Sequence, residues 1–285
     1  MMKAVIQNGV LFGGMAVGAV VTSVLTPGLE TPTGEIGASV LHAESIVRAV
    51  VAMAGATLVA AAVGVAVGKV CNTAVGLFAA GGAWFGLAWR AGTIESHLFD
   101  GVPLLFAVET LGLGVVVGVV AWLVFRLAGP LTDVGTDDEG RTADPYRSVA
   151  AGKMIAAGIL VLPVVWLFAQ STLKGQTLGA VFCGSMVAGL VGRLVAPNTQ
   201  PIVLFAAPML FLAIAQAVAG IAMGGPLSEV FVTGSVPAFL RVMPVDAAVG
   251  ALTGVGVGLG WARSFLHEDE ASPAAALAGG RHDDA

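Results

Sequence analysis

The chain has 285 residues, of which 57% are hydrophobic and 11% are charged, with a formal net charge of −5 and a mean hydropathy of +0.92. Ordinary soluble domains carry about a quarter charged residues, so this chain cannot surround a soluble core with a charged shell. The absence of a basic stripe argues against nucleic acid as a partner. The composition favours an all-α, polytopic bundle embedded in a lipid bilayer.

Eight apolar runs are each long enough, or nearly so, to cross a membrane as a helix of about 20 residues. The first follows Met1-Met2-Lys3, is too long for the apolar region of a signal peptide, and is interpreted as an uncleaved helix. The predicted spans are 4–25, 49–68, 74–89, 104–125, 154–169, 178–195, 202–223 and 247–265. They predict one transmembrane domain over 1–266, followed by an acidic, disordered tail at 267–285.

The positions of Lys and Arg predict the orientation of these spans. With the N-terminus inside, nine basic residues fall inside: Lys3, Lys69, Arg126, Arg141, Arg147, Lys153, Arg193, Arg263 and Arg281. Four fall outside: Arg48, Arg90, Lys174 and Arg241. We therefore expect an integral protein of a prokaryotic cytoplasmic membrane with both termini in the cytoplasm.

Glycine, with 40 residues, recurs at four-residue spacing within the spans, for example at Gly64 and Gly68 and at Gly250, Gly254 and Gly258. This spacing places glycines on one helix face and predicts close helix packing. The last span is so rich in glycine that we expect it to pack against neighbours, another membrane subunit or a second copy of the chain. Cys71 and Cys183 form no paired motif and are interpreted as small packing residues.

The word Gly-Pro-Leu occurs twice, in "GPLTDV" at 129–134 and in "GPLSEV" at 225–230, each time just after an apolar run. Two other landmarks keep similar offsets, since Thr73 matches Thr177 and Pro103 matches Pro201. The pattern predicts an internal duplication of three helices, with repeats at 46–135 and 147–231 and one helix flanking them at each end. Because three is odd, the second copy would be inverted in the membrane, as in many transporters.

The Gly-Pro pair ends a helix, and the following Ser or Thr and acid can start another. After the second word, residues 230–244 are apolar but interrupted by Gly and Pro. We expect this segment to lie on the membrane surface, with a re-entrant segment as the alternative, because re-entry needs protein cover or water.

Two of the polar residues inside predicted spans, Glu109 and Gln216, are candidates for function. Glu109 is a candidate for proton or cation coupling, since acids within a membrane are costly; the structural alternative is a pair with Arg90 at the outer end of the neighbouring helix. Gln216 is expected to bond to another helix or to line a polar path. Thr73 and Thr177 start equivalent helices and are interpreted as caps or as entrance residues on opposite sides of the membrane.

Two outer loops carry weak candidates for metal ligands, namely His42, Glu44, Glu95, His97 and Asp100. Their spacing matches no metal motif, and we predict neither a resident metal nor a cofactor. Common catalytic signatures, a Walker motif among them, are missing, so an enzyme is the less favoured class.

The sequence favours a permease or channel-like transporter of a small solute or ion that is not driven by ATP on its own. The first alternative is a non-catalytic membrane subunit or scaffold of a larger complex. The second alternative is a membrane-embedded enzyme that acts on lipid.

Overall fold

A computed structural model describes residues 2–135 and 143–271, with side chains through 266. The described chain contains eleven α-helices. They are α1 (Met2–Ser23), α2 (Ile46–Val70), α3 (Thr73–Arg90), α4 (Pro103–Ala128), α5 (Val149–Ala157), α6 (Val161–Phe168), α7 (Lys174–Val195), α8 (Ala207–Ala222), α9 (Leu227–Val232), α10 (Ala238–Arg241) and α11 (Pro244–Ala271).

Seven of the eight predicted spans lie in segments that are long and apolar enough to cross a membrane. The other is α3, whose 18 residues include glycine, tryptophan and a terminal arginine, which lower its hydropathy. Most of α3 is buried inside the chain nevertheless. The predicted class, a polytopic helical membrane protein, is confirmed. Arg141, Arg281 and residues 272–285 of the predicted tail lie outside the described residues, whereas 267–271 continue α11.

The fifth and seventh predicted spans are both interrupted. Residues Gly158–Leu160 form a 3-10 turn between α5 and α6. Pro163 explains this turn, because proline donates no backbone hydrogen bond and its ring disfavours the preceding turn of α-helix. A second 3-10 turn, Val203–Phe205, precedes α8.

The long helices alternate in direction, which gives the bundle two ends. The proximal end is where α1 and α3 begin and α2 and α4 finish, and the distal end is opposite. Glycine allows this packing at several crossings. A Cβ at Gly76 on α3 would lie 2.4 Å from the carbonyl oxygen of Gly64 on α2, and one at Gly86 would lie 1.8 Å from that of Ala19 on α1.

Helix α11 occupies the interior of the bundle. Its glycines lie against neighbouring backbones, since a Cβ at Gly254 or Gly258 would come within 2.3 Å of the carbonyl oxygen of Phe182 or Met186 on α7. The glycine-rich face of α11 is thus covered by α7 of the same chain.

Helices α4 and α8 pack side by side in opposite directions. The contacts are between Gly114 and Met209 in the middle and between Pro103 and Gly220 at the distal end. The two Gly-Pro-Leu turns therefore lie at opposite ends of this helix pair.

Each Gly-Pro-Leu turn follows one helix of this pair and contacts the residues that precede the other helix. At the proximal end, Leu131 exchanges two backbone–side-chain hydrogen bonds with Gln200, of 3.0 and 3.1 Å, just before α8. At the distal end, Leu227 packs against Gly101, just before α4. Gly129 adopts a φ of 105°, a conformation that glycine tolerates at the end of a helix.

The segment after the second turn departs from the prediction of a surface location. Val232 through Ser235 are exposed, but Leu240, Val242 and Met243 are completely buried. The correction has a physical reason, because Gln216 on α8 binds the carbonyl oxygens of this segment and supplies the protein cover that irregular backbone requires.

Candidate functional site

Glu109 connects α4 to residues 38–41 of the distal loop, which joins α1 to α2 over residues 24–45. Its carboxylate accepts a 2.5 Å hydrogen bond from the Ser39 hydroxyl, one of 2.8 Å from the Val40 amide and one of 3.3 Å from the Leu41 amide. Glu109 is only 6% exposed. Several hydrogen bonds compensate the cost of burying the carboxylate. This side chain therefore holds the distal loop against the first two turns of α4.

Two histidines extend this cluster, and their hydrogen bonds define their tautomers. The Val102 amide donates to Nε2 of His42, so the proton of neutral His42 is on Nδ1, which lies 2.8 Å from the Ser39 hydroxyl. The Ala38 amide donates to Nε2 of His97 in the same way. A directed chain therefore runs from His42 through Ser39 to Glu109.

Burial makes both histidines poor bases. Desolvation lowers the pKa of His42 from its ordinary value, against a weaker opposing effect of Asp100. The pKa of His97 falls to about 4 because of burial and the proximity of His42, again opposed by Asp100. Both rings are therefore neutral at pH 7.

The predicted pair of Arg90 and Glu109 is not formed. Arg90 is exposed and donates to the Ser23 carbonyl oxygen at 3.5 Å, while backbone amides and Ser39 surround the Glu109 carboxylate. The distal loop, whose position no helical pattern reveals, lies between them.

The candidate metal ligands are scattered around the same end. The rings of His42 and His97 are tilted by 51° with their centroids 5.2 Å apart, but both Nε2 atoms already accept backbone hydrogen bonds. Glu44 is exposed, and Glu95 accepts a hydrogen bond from Thr172. Among the described residues, no group of three or more His, Cys, Asp or Glu side chains could hold a metal ion.

A second polar cluster at the distal end joins α7 to α11. Lys174 Nζ lies 3.0 Å from Oδ1 of Asp246 and 2.6 Å from the Gly92 carbonyl oxygen. The Thr177 hydroxyl donates to Oδ2 of Asp246 at 3.1 Å. Asp246 is completely buried, so this ion pair closes the distal end between α3, α7 and α11.

Gln216 binds backbone and does not line an open cavity among the described residues. Its amide nitrogen donates to Val242 O at 2.8 Å and to Phe239 O at 3.3 Å, while its Oε1 has no partner. The residue fixes the start of α11 against α8.

Thr73 lies at the proximal end, on the wall of a cavity of about 300 Å³. Its hydroxyl donates to the Gly129 carbonyl oxygen. The cavity is bounded by the ends of α2, α4 and α7, the start of α3, and α11. Among the described residues, the charged ones that line it are Lys69, Asp133, Arg193 and Arg263. Thr73 and Thr177 thus lie at opposite ends, the first beside an open cavity and the second beneath an ion pair.

Sequence reasoning missed three functional candidates: Ser39, Asp246 and Arg193. Arg193 is 1% exposed and donates to the carbonyl oxygens of Asp133 and Pro197 at 2.6 and 2.7 Å. The available signal was that Asp246 and Arg193 each interrupt or border an apolar run, where a charge needs a partner.

Comparison with known protein families, curated proteins and solved structures finds no match to this chain.

Proposed function

We propose that the protein is a permease for a small solute, with its path between two inverted three-helix halves. The observation that carries this proposal is the contrast between the starts of α3 and α7. Thr73 borders an open cavity at the proximal end, whereas Thr177 is covered by the Lys174–Asp246 pair at the distal end. A transporter needs this asymmetry, because only one side is open at a time.

The arrangement of the two halves supports an inverted repeat. Helices α4 and α8 run antiparallel along the centre, and each Gly-Pro-Leu turn contacts the residues just before the other central helix. Leu131 binds Gln200, and Leu227 packs against Gly101. A two-fold axis in the membrane plane would exchange these two contacts.

In this proposal, the described geometry is the state that is open at the proximal end. Opening of the distal end would require Lys174 to leave Asp246 and the Gly92 carbonyl. Closing of the proximal end would bring the start of α3 and the last turns of α11 against the turn at 129–133. With the orientation that the basic residues favour, the proximal end faces the cytoplasm.

In this proposal, buried polar atoms between the two ends serve as steps along the path. Trp84 Nε1, Thr110 Oγ1 and Gln216 Oε1 are buried without a hydrogen-bond partner. Each is six or seven residues from the distal end of its helix, a depth of roughly 10 Å at 1.5 Å per residue. Buried polar atoms normally bind a partner, and here water or solute would supply it.

Cys71 allows a direct test because it lines the proximal cavity and is partly exposed. A Cys183→Ser variant leaves this thiol as the reporter. In oriented proteoliposomes, a membrane-impermeant maleimide should label it from the proximal side, and Lys174→Met should raise labelling from the distal side. Uptake of solutes in the same vesicles should depend on Lys174 and Asp246. Labelling from one side in every variant, together with no uptake above empty vesicles, would refute the proposal.

The second candidate is a non-catalytic subunit of a larger complex. Tight glycine contacts hold α1 against α3 and hold α11 against α3 and α7, which favours a dry bundle. Helix α1 also presents apolar side chains outward, with Phe12, Val17 and Val20 each about two-thirds exposed. For this function, Cys71 labelling would not respond to Lys174, and the protein would co-purify with a stoichiometric membrane partner from its own cells.

A further inference from the structure

An apolar groove on the outside of the bundle has an arginine across its distal end, and we propose that it binds one bilayer lipid with an anionic head group. An acyl chain of this lipid lies in the groove, and its phosphate lies beside Arg241. The groove shares no lining residue with the proximal cavity. The site therefore goes beyond the proposed transport function and stands whether or not the protein moves a solute.

The groove has a volume of about 850 Å³ and three apolar walls. They are formed by the 3-10 turn with α6, by α8, and by residues 230–239, and Ser235 is the only described lining residue with a hydroxyl group. Trp166, Ile214 and Val218 in these walls are each more than half exposed. Apolar side chains exposed on membrane-spanning helices contact lipid, so the groove opens sideways into the bilayer.

The length of the groove matches one leaflet of a bilayer. Its α8 wall extends from Phe211 to Ala222, which is roughly 16 Å at 1.5 Å per residue. The hydrocarbon core of a bilayer is about 30 Å thick, so one leaflet contributes about 15 Å. Ile159 lies near the middle of the span Val149–Phe168, and α8 finishes at the distal end. The groove therefore extends from the middle of the bilayer to its distal surface, as an acyl chain does.

Arg241 joins two walls of the groove at its distal end. Its Nε donates to the Val236 carbonyl oxygen and its Nη1 donates to the Ala169 carbonyl oxygen, both at 3.0 Å. Val236 lies between two lining residues, Ser235 and Pro237, and Ala169 directly follows α6. The two hydrogen bonds hold the guanidinium in place, and they leave its Nη2 without a partner among the described residues.

No carboxylate of a described residue forms an ion pair with this guanidinium. Asp246 is paired with Lys174, and Glu229 is exposed beside Gly225. Arg241 is itself partly buried. A partly desolvated arginine without a carboxylate partner favours an anion, and its planar guanidinium suits the oxygens of a phosphate group. Because the groove below it takes a hydrocarbon chain, the ligand that fits both parts is an anionic lipid.

Trp166 can report on the occupant of the groove, since bromine atoms on an acyl chain quench tryptophan fluorescence on contact. The protein is reconstituted in phosphatidylcholine, which is replaced stepwise by dibrominated phosphatidylglycerol, and dibrominated phosphatidylcholine gives the reference titration. The Trp166 signal is the difference between the unmodified protein and Trp166→Phe. We expect phosphatidylglycerol to bind beside Trp166 with an affinity roughly fivefold above that of phosphatidylcholine, the effect of one cation near the membrane surface.

Two variants test the two parts of the site separately. Arg241→Gln removes the charge and keeps an amide that can donate to a carbonyl oxygen, so the preference for phosphatidylglycerol should disappear. Ala219→Phe keeps the arginine and fills the groove, in whose wall Ala219 lies, and it should remove the preference as well. Arg90→Gln is the control, because Arg90 is exposed on α3 at the same end and does not line the groove.

Loss of the preference in both variants, with the roughly fivefold ratio kept in Arg90→Gln, supports the lipid site. Equal affinity of the unmodified protein for the two lipids overturns the proposal. A preference that survives in either variant also overturns it, because the anionic lipid would then gather around the protein without using Arg241 or the groove. Ala219→Phe leaves the hydrogen bonds of Arg241 in place, so it tests the site even where Arg241→Gln does not fold.

Discussion

Lys174 and Asp246 form a buried ion pair that joins two helices 72 residues apart in the chain. The side chain of Lys174 is 13% exposed and that of Asp246 is 1% exposed. Removal of one partner from such a pair leaves an uncompensated charge, which costs about 3–5 kcal/mol. We therefore expect Lys174→Met and Asp246→Leu each to lower the melting temperature strongly in detergent, and the double variant to be more stable than either single one.

Lys153→Met is the control for this cycle, because Lys153 is exposed and has no partner among the described residues. Its melting temperature should be close to that of the unmodified protein. Additive losses in the double variant would mean that Lys174 and Asp246 stabilise the bundle separately and do not act as a pair.

Glu109 holds the distal loop, so its removal should release that loop. In Glu109→Ala, the Ser39 hydroxyl and the amides of Val40 and Leu41 lose their acceptor, at a cost of about 1–3 kcal/mol for each buried donor left unsatisfied. We expect faster hydrogen exchange in the peptide that contains these amides, measured by mass spectrometry. Glu44→Ala, an exposed residue of the same loop, should leave exchange unchanged.

A second substitution, Glu109→Gln, distinguishes a role in anchoring the distal loop from a role in coupling transport to a proton or cation. Glu109→Gln keeps an oxygen that can accept hydrogen bonds and loses the charge, so an anchoring role predicts uptake close to normal. Loss of uptake with unchanged exchange in the distal loop would instead support proton or cation coupling through Glu109.

The helical membrane class could be predicted from the sequence because the length of an apolar run is a local property. The 3-10 turn at Gly158–Leu160 was not predicted, although Pro163 was its available signal. The buried location of Leu240 and Met243 depends on hydrogen bonds from Gln216, a contact between segments that no local pattern specifies.

The candidate site could be predicted only in part. Glu109 is recognisable in the sequence because an acid in a span is rare, but its partners belong to an irregular loop whose path has no periodicity. Lys174 and Asp246 each lie at the end of a helix, where a charge usually extends toward water. Their pairing depends on the packing of α7 against α11, which the sequence does not reveal.

His97 should make the stability of the distal end depend on pH. Its pKa is about 4 in the folded protein and about 6.5 without burial, so below about pH 6.5 the unfolded chain binds the proton more readily. This contribution is absent above that pH and destabilises the fold progressively as the pH falls toward 4, by roughly 1.4 kcal/mol per pH unit. The affected ring lies beside His42 and Asp100.

His97→Gln removes the titration and keeps an oxygen able to accept the Ala38 amide. Its melting temperature should fall less than that of the unmodified protein between about pH 7.5 and pH 5. The other titratable groups are the same in both proteins, so their contributions to the pH dependence of the melting temperature cancel in this comparison. Parallel decreases would show that protonation of His97 does not oppose folding.

Gly86 and Gly112 offer a matched test of the glycine packing. A Cβ at Gly86 would lie 1.8 Å from the Ala19 carbonyl oxygen, whereas one at Gly112 would have no atom within 4 Å. Gly86→Ala must therefore separate α1 from α3, and we expect a loss of more than about 2 kcal/mol, the range typical of overpacking. Gly112→Ala should be neutral or stabilising by up to about 1 kcal/mol, because alanine favours the helix. Thermal unfolding in the same detergent measures both variants, and equal melting temperatures would mean that α1 does not pack closely on α3.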